Sequence, residues 1–361
     1  IMNLDFHYYG TYCAARIAEF SHEQAGKIAW AAQTVDECTE DYLNAAKIPA
    51  ENQVITCETN TENLKDNIYD LSAFNSETLL KLRKIWMPFH FLPGNLDNHL
   101  NIKDPVLKNQ RNYPDLQCIC THNSTMVSKI ISDTINKFAS ANPLSDKILY
   151  LTGIRMHVLA DTFAHEFFAG TPSYFINDVG NSGFKILKKD TSLSDYVSTP
   201  AGVSNYSVFY LGHGRLGHLP DDGSMSYEYH PHWSMEGYRV IRCNAEIFAQ
   251  AFYEMIDALK CIRKHASFEP ADTYLDGENA LFQELKNPIK WGNLKNVLKS
   301  KTGDEACRAW CQYMKKMDFP DLQNYNKKQA SPTAINDFLD AARAHQDMVC
   351  AELQAANIPA I

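Results

Sequence analysis

Apolar positions recur at helical spacing along much of the chain, most regularly in Gly153-Ile154-Arg155-Met156-His157-Val158-Leu159-Ala160-Asp161-Thr162-Phe163-Ala164-His165-Glu166-Phe167-Phe168. No Pro or Gly interrupts that stretch after Gly153, and the pattern predicts a central helix over Leu144 to Phe168. Upstream, Cys13, Ala14, Ile17 and Ala18 share one face. Ser21 with Gln24 three residues on reads as a capping box opening an Ala-rich helix through Val35 to Asp36. Small residues at that density allow close helix packing. Ser76 to Trp86 reads as a short helix or strand. Thr121 to Ala141 reads as a helix with Met126, Val127, Ile130, Ile131, Ile135 and Phe138 inward, broken by Asn142-Pro143. Ser234 to Arg263 reads as a long helix whose core face runs from Ile241 through Ile247, Phe248, Ala251, Phe252, Met255 and Ile256 to Leu259. Thr302 to Met317 and Ala334 to Ala356 close the chain, the second opened by Ser331-Pro332 with Pro at an early helical position.

Between these lie a polar excursion at 50–75, a loop from Pro105 to Pro114 and mixed sequence at 266–303. Residues 170–208 are rich in Gly, Ser, Asn and Asp. So long an irregular stretch in a compact domain is often functional. No repeat or low-complexity linker is visible. The simplest expectation is an all-α fold: one multi-helix domain over residues 1–361, with long functional loops.

Composition adds exclusions. The 361 residues are 45% hydrophobic and 21% charged, ordinary for a globular chain, and carry a formal net charge of −9. That charge disfavours nonspecific attraction to nucleic acid phosphates. No apolar run of 18 residues suggests a membrane span. Ile1-Met2-Asn3-Leu4-Asp5 lacks the basic-then-apolar order of a signal peptide. The 10 cysteines include no CxxC pair, so a zinc knuckle is not expected. They allow disulfides in an exported protein and equally well read as buried free thiols.

The chemistry concentrates on histidine and aspartate. In the central helix His157, Asp161 and His165 stand at i, i+4 and i+8. Each step of four residues rotates by about 400°, so the three share one stripe. Their apolar neighbours place that stripe indoors, where a carboxylate between two imidazoles needs pairing or a metal. A core helix whose His residues merely satisfy backbone carbonyls is the plain alternative. Zinc takes His nitrogen and Asp oxygen together. Further candidates are His7, Asp36, His90 in the Pro-bounded apolar segment Met87–Gly94, His213 in Leu211-Gly212-His213-Gly214, and His218 or Asp221 beyond it. Tyr227, Tyr229, His230, His232 and Trp233 follow, and read equally as a pocket wall or as an aromatic loop packed on the core.

The order of these ligands resembles the zinc-dependent phospholipases C and the trinuclear single-strand nucleases, over roughly residues 3–222. The phrases Asp5-Phe6-His7-Tyr8-Tyr9-Gly10-Thr11-Tyr12, Phe89-His90-Phe91-Leu92-Pro93-Gly94 and the helical His157-to-His165 segment also look like a bacterial family of uncharacterised proteins, a distant branch of the same superfamily. The resemblance implies two or three zinc ions. Asp36, His90, His157 and Asp161 would hold the first, and Asp161 would bridge to a site completed by His7. His165 and His213 would hold another, with His218 or Asp221 as fourth ligand. Asp36 would also be the base that orients the attacking water. The chain departs from the pattern in two places. It starts Ile1-Met2 where relatives often use an N-terminal Trp, so that site is either incomplete or uses Asp5, and His165 follows Asp161 by four residues rather than six.

The resulting expectation is an exported phosphodiester hydrolase of the phospholipase C type, cleaving phosphatidylcholine-type lipid at a membrane surface. Tyr8, Tyr9, Tyr229 and Trp233 would supply an aromatic box for a choline cation. A nuclease or phosphomonoesterase is the alternative from the same chemistry. A noncatalytic interaction protein pinned by structural metals is the alternative from another class.

Overall fold

In a computed structural model of the chain, the described residues are 4–59, 76–96, 114–179, 184–187, 210–234, 238–270, 294–300, 303–326 and 330–358. The fold is mostly helical and is built around the stretch with the most regular apolar spacing. In chain order the helices are α1 (Thr11–Ile17), α2 (His22–Glu37), α3 (Glu40–Ala45), α4 (Ser76–Phe89), α5 (Thr125–Ser140), α6 (Asp146–Ala164), α7 (Tyr174–Asn177), α8 (Asn244–Lys264), α9 (Leu294–Leu298), α10 (Asp304–Lys316) and α11 (Pro332–Ala355). Residues 149–164 of α6 are all buried, because α1, α2, α4, α5, α8 and α11 pack around it.

The α2–α6 crossing explains the Ala-rich pattern. Ala25, Ala29, Ala31 and Ala32 are fully buried. A Cβ on Gly153 would lie 2.2 Å from the Ile28 carbonyl oxygen and 2.8 Å from the Ala31 Cβ. Only small residues allow backbones to approach this closely, and the crossing brings the end of α2, with Asp36, beside the last turns of α6. The Ser21–Gln24 capping box opens α2, and Ser331 caps α11 with Pro332 in its first turn, both as the sequence predicts.

Two details differ from expectation. First, a small three-stranded antiparallel sheet, β1 (Phe184–Ile186), β2 (Ser226–Tyr229) and β3 (Val240–Cys243), joins the helices of a fold that is otherwise helical as expected. Tyr227 pairs with Arg242 and Tyr229 with Val240 in register. Burial alternates along β2 and β3, the two-residue period of strands. Ile241, expected on a helical core face, therefore sits on a strand with 68% of its surface exposed, and the long helix begins only at Asn244. Second, the central helix stops at Ala164 rather than Phe168. His165 is its C-cap and Phe167 turns away with φ of 74°. Of the two readings the sequence leaves open for the cysteines, the structure has free thiols, five of them buried. The Pro105–Pro114 loop up to residue 113, His99, and most of 180–209 fall outside the described residues.

The sheet serves the central helix. Arg242 of β3 donates from its guanidinium to the carbonyls of Phe163 and Ala164 and to Glu166 Oε2 at 3.0 Å. A cation at a helix C-terminus satisfies its unpaired carbonyls and opposes the macrodipole. Arg242 thereby fixes where α6 ends and where His165 leaves it.

Candidate metal centre

Seven of the candidate ligands converge from five places in the chain. His7 lies on a π-helical turn, Asp5–Gly10, whose wider ring is frequent at functional sites. Asp36 is in the last turn of α2. His90 follows the C-terminus of α4, which Pro88 closes. His157 and Asp161 stand one turn apart on α6. His213 and Asp221 come from a loop carrying two 3₁₀ turns, Gly214–Leu216 and Leu219–Asp221. Together with His165 they form three groups of buried side chains that could hold a metal ion: His7, His157 and Asp161; Asp36, His90 and His157; and His165, His213 and Asp221.

The distances match coordination edges. A tetrahedral ion with ligands at about 2.1 Å has ligand-to-ligand edges of about 3.4 Å. His157 Nε2 lies 3.4 Å from His90 Nδ1, 3.2 Å from Asp161 Oδ2 and 3.7 Å from Asp36 Oδ1. His90 Nδ1 lies 3.4 Å from Asp161 Oδ2 and 3.9 Å from Asp36 Oδ1. On the other side, Asp161 Oδ1 is 3.2 Å and Asp36 Oδ2 is 4.0 Å from His7 Nε2. Each of the two carboxylates thus turns one oxygen to His90 and His157 and the other to His7. In the third group Asp221 Oδ1 is 3.1 Å from His165 Nε2 and 3.5 Å from His213 Nε2.

Backbone carbonyls orient three of these rings. His90 Nε2 sits 2.9 Å from the Cys57 carbonyl, His165 Nδ1 2.8 Å from the His90 carbonyl, and His213 Nδ1 2.9 Å from the Gly217 carbonyl. Donating an N–H there leaves the opposite nitrogen of each ring as a free lone pair facing its group, the tautomer that metal ligation requires. His345 of α11 is placed to donate from Nε2 to the Pro88 carbonyl at 2.8 Å, steadying the end of α4 two residues before His90. Burial lowers the His345 pKa to about 3, so it does this as a neutral ring.

Several polar atoms in this interior have no hydrogen bond: His7 Nδ1 and Nε2, His157 Nδ1, Asp36 Oδ1 and Asp161 Oδ1. Such orphans are costly in a dry site unless something else binds them. The titration behaviour agrees. Burial drives His7 down, and it drives His157 down to about 3, so both rings are neutral and able to ligate. Burial and the neighbouring Asp161 push Asp36 well above the carboxylate range. Asp161 stays ionised against its burial because His165, His157 and His7 surround it. Asp221 is likewise ionised despite burial, held by the nearby histidines His213 and His165. Crowded buried carboxylates beside neutral imidazoles form a donor cluster that favours a cation.

Other expected residues lie elsewhere. His218 keeps 72% of its side chain exposed, with Nδ1 3.9 Å from Asp221 Oδ2, and Asp221 is the buried partner of His165 and His213. The expected aromatic box is not assembled. Tyr8 and Tyr9 are buried, their hydroxyls donating to the Gln323 carbonyl at 2.8 Å and to Asn324 Oδ1 at 3.2 Å. Tyr229 stacks on Phe168 at 5.4 Å, and Trp233 packs on Phe167 at 5.7 Å. All four are core packing, because flanking apolar residues bury them. Asp5 belongs to none of the three groups.

The sequence reading missed Glu58, inside the stretch read as a polar surface excursion. It is 5% exposed, with Oε2 3.4 Å from His90 Nε2. The one available signal was the alternation of Ile55 and Cys57, both buried, which carries the chain inward.

The chain belongs to a family of unknown function, DUF6765, whose profile matches residues 2–353. No curated protein and no solved structure matches it.

Proposed function

Since that family carries no assigned activity, we propose a function from the site itself: a metal-dependent phosphodiester hydrolase of the phospholipase C type, holding two or three zinc ions. One observation carries the reading. Asp161 and Asp36 each offer their two oxygens to two adjacent sets of histidine nitrogens, an arrangement suited to ions a few Å apart. Zinc fits a donor set of imidazole and carboxylate without thiolate. Ions bound there supply Lewis-acid polarisation of a phosphoryl oxygen and acidification of water near neutral pH. The chain's own contribution is positional. Asp161 stays ionised between the histidines, and Asp36, whose carboxyl group burial and Asp161 push towards a higher pKa, is the better proton acceptor of the two. With Tyr8, Tyr9, Tyr229 and Trp233 buried, no aromatic box of theirs selects a choline headgroup, and phosphatidylcholine serves as the first probe of the phospholipase class. Single-stranded DNA is the probe for the nuclease reading.

The test is metal content by mass spectrometry on protein purified without added metal, followed by phosphocholine release from phosphatidylcholine vesicles with and without chelator. Two or three equivalents of zinc and chelator-sensitive release support the proposal. Asp161→Asn should lose metal and hydrolysis while keeping its helical circular dichroism. Metal-free native protein that cannot be reloaded would sink the proposal. Activity on single-stranded DNA with none on lipid would move it to the nuclease class.

A further inference from the structure

Glu58 has no part in the ligand groups, yet it is a buried carboxylate aimed at one of their rings. Its Oε1 accepts from the Thr59 backbone N–H at 2.6 Å and from the Thr59 hydroxyl at 3.2 Å. That hydroxyl in turn accepts from Trp86 Nε1–H at 3.2 Å. The Trp86 ring lies 5.6 Å from the His90 ring and stacks on Phe91 at 5.7 Å. The relay fixes the carboxyl group in one orientation and leaves Oε2, which has no hydrogen bond, facing His90 Nε2 at 3.4 Å. Nothing in the core requires an acid here. A buried carboxylate costs free energy through lost hydration, and a small apolar residue would fill the same space without that cost.

We infer that Glu58 is a positioning residue for the metal centre: beside the Cys57 carbonyl that accepts the Nε2–H of His90, its carboxyl group stands against the same edge of the ring, keeps Nδ1 aimed at the ligand group and makes that ring a stronger donor. The two groups differ in kind. The carbonyl, at 2.9 Å, sets the ring's tautomer. The carboxyl group places negative charge density on the far side of the imidazole, which strengthens the lone pair that faces an ion. Carboxylate–histidine–metal sets of this type commonly orient a ligand and raise its basicity. The inference rests on the proposed metal reading and adds a residue outside its ligand set.

The test is zinc affinity by competition with a chromophoric chelator, together with the visible absorption of the cobalt(II)-loaded protein. Glu58→Ala should weaken zinc binding by about 10–100-fold and alter the cobalt spectrum, with Glu58→Gln between it and native because the amide keeps the group's shape and oxygen dipole without its charge. A residue needed only for packing would lower the melting temperature and leave both metal readouts of the folded protein native. If Glu58→Ala does not fold, Glu58→Gln decides alone: a loss of about twofold or more with a changed spectrum upholds the role. Native affinity and spectrum in the folded variant overturn it. Native protein that binds neither zinc nor cobalt overturns the metal reading itself, a result distinguishable from tight native binding that Glu58 does not influence.

Discussion

His213 and His218 stand five residues apart in one loop, and the sequence offers both as ligands. The fold separates them. The Nε2 of His213 faces Asp221 at 3.5 Å while Nδ1 meets the Gly217 carbonyl, whereas the His218 side chain is 72% exposed. His213→Ala should therefore remove one metal equivalent and most hydrolytic activity, because its group would keep only His165 and Asp221. His218→Ala should leave metal content and activity near native. Metal analysis of the two purified variants checks this, and full occupancy in His213→Ala would eliminate it as a ligand. If His213 were only a loop anchor, its loss would cost about 1 kcal/mol of stability, the worth of one hydrogen bond, and no metal. At this scale the ligand types and their order were legible, because His and Asp on apolar faces stand out in a sequence. Glu58 was not, because burial of a lone acid in a polar stretch depends on partners far along the chain.

The decisive element is the α2–α6 pair. Asp36 and the ligands of α6 reach one site only because Gly153 lets the two backbones meet at Ile28. Gly153→Val should push the helices apart, since its Cβ would occupy space now 2.2 Å from a backbone carbonyl. Overpacking of this kind costs about 1–3 kcal/mol. The expected outcome is a lower melting temperature together with weaker zinc binding, although residue 153 is not one of the ligand residues. Scanning calorimetry with zinc titration measures both, and native affinity in a destabilised variant would show that the crossing does not set the site. The helices themselves were readable from three-to-four-residue periodicity and from caps such as Ser21 and Ser331. The sheet was not. Its strands are three or four residues long, too short for alternation to stand out, so Ile241 was absorbed into the helix that follows. The end of α6 was also hidden, because Arg242, far along the chain, helps to set it.

Over the whole molecule, the buried carboxylates and unpaired imidazoles weaken the ion-free protein. Ligand binding to the native state alone adds RT ln(1 + [L]/Kd), about 4 kcal/mol when zinc stands at a thousand times its dissociation constant. Chelation should lower the melting temperature by several degrees, and zinc should restore it. Calcium or magnesium at equal concentration should restore less, since both prefer all-oxygen ligand sets. A melting temperature indifferent to chelator would argue that the interior is content without ions.

The ligands run from His7 to Asp221, so the centre has a history as well as a geometry. A ribosome adding 5–20 residues per second needs roughly 10–40 s to go from one to the other. On the proposed metal reading, the groups built from His7, Asp36, His90, His157 and Asp161 have all their ligands once Asp161 has emerged, whereas the group of His165, His213 and Asp221 must wait for the loop that carries the last two. On that reading the newly made protein passes through an ion-free form in which buried atoms of His7, Asp36, His157 and Asp161 lack hydrogen-bond partners, and metal supply is the final step of its maturation.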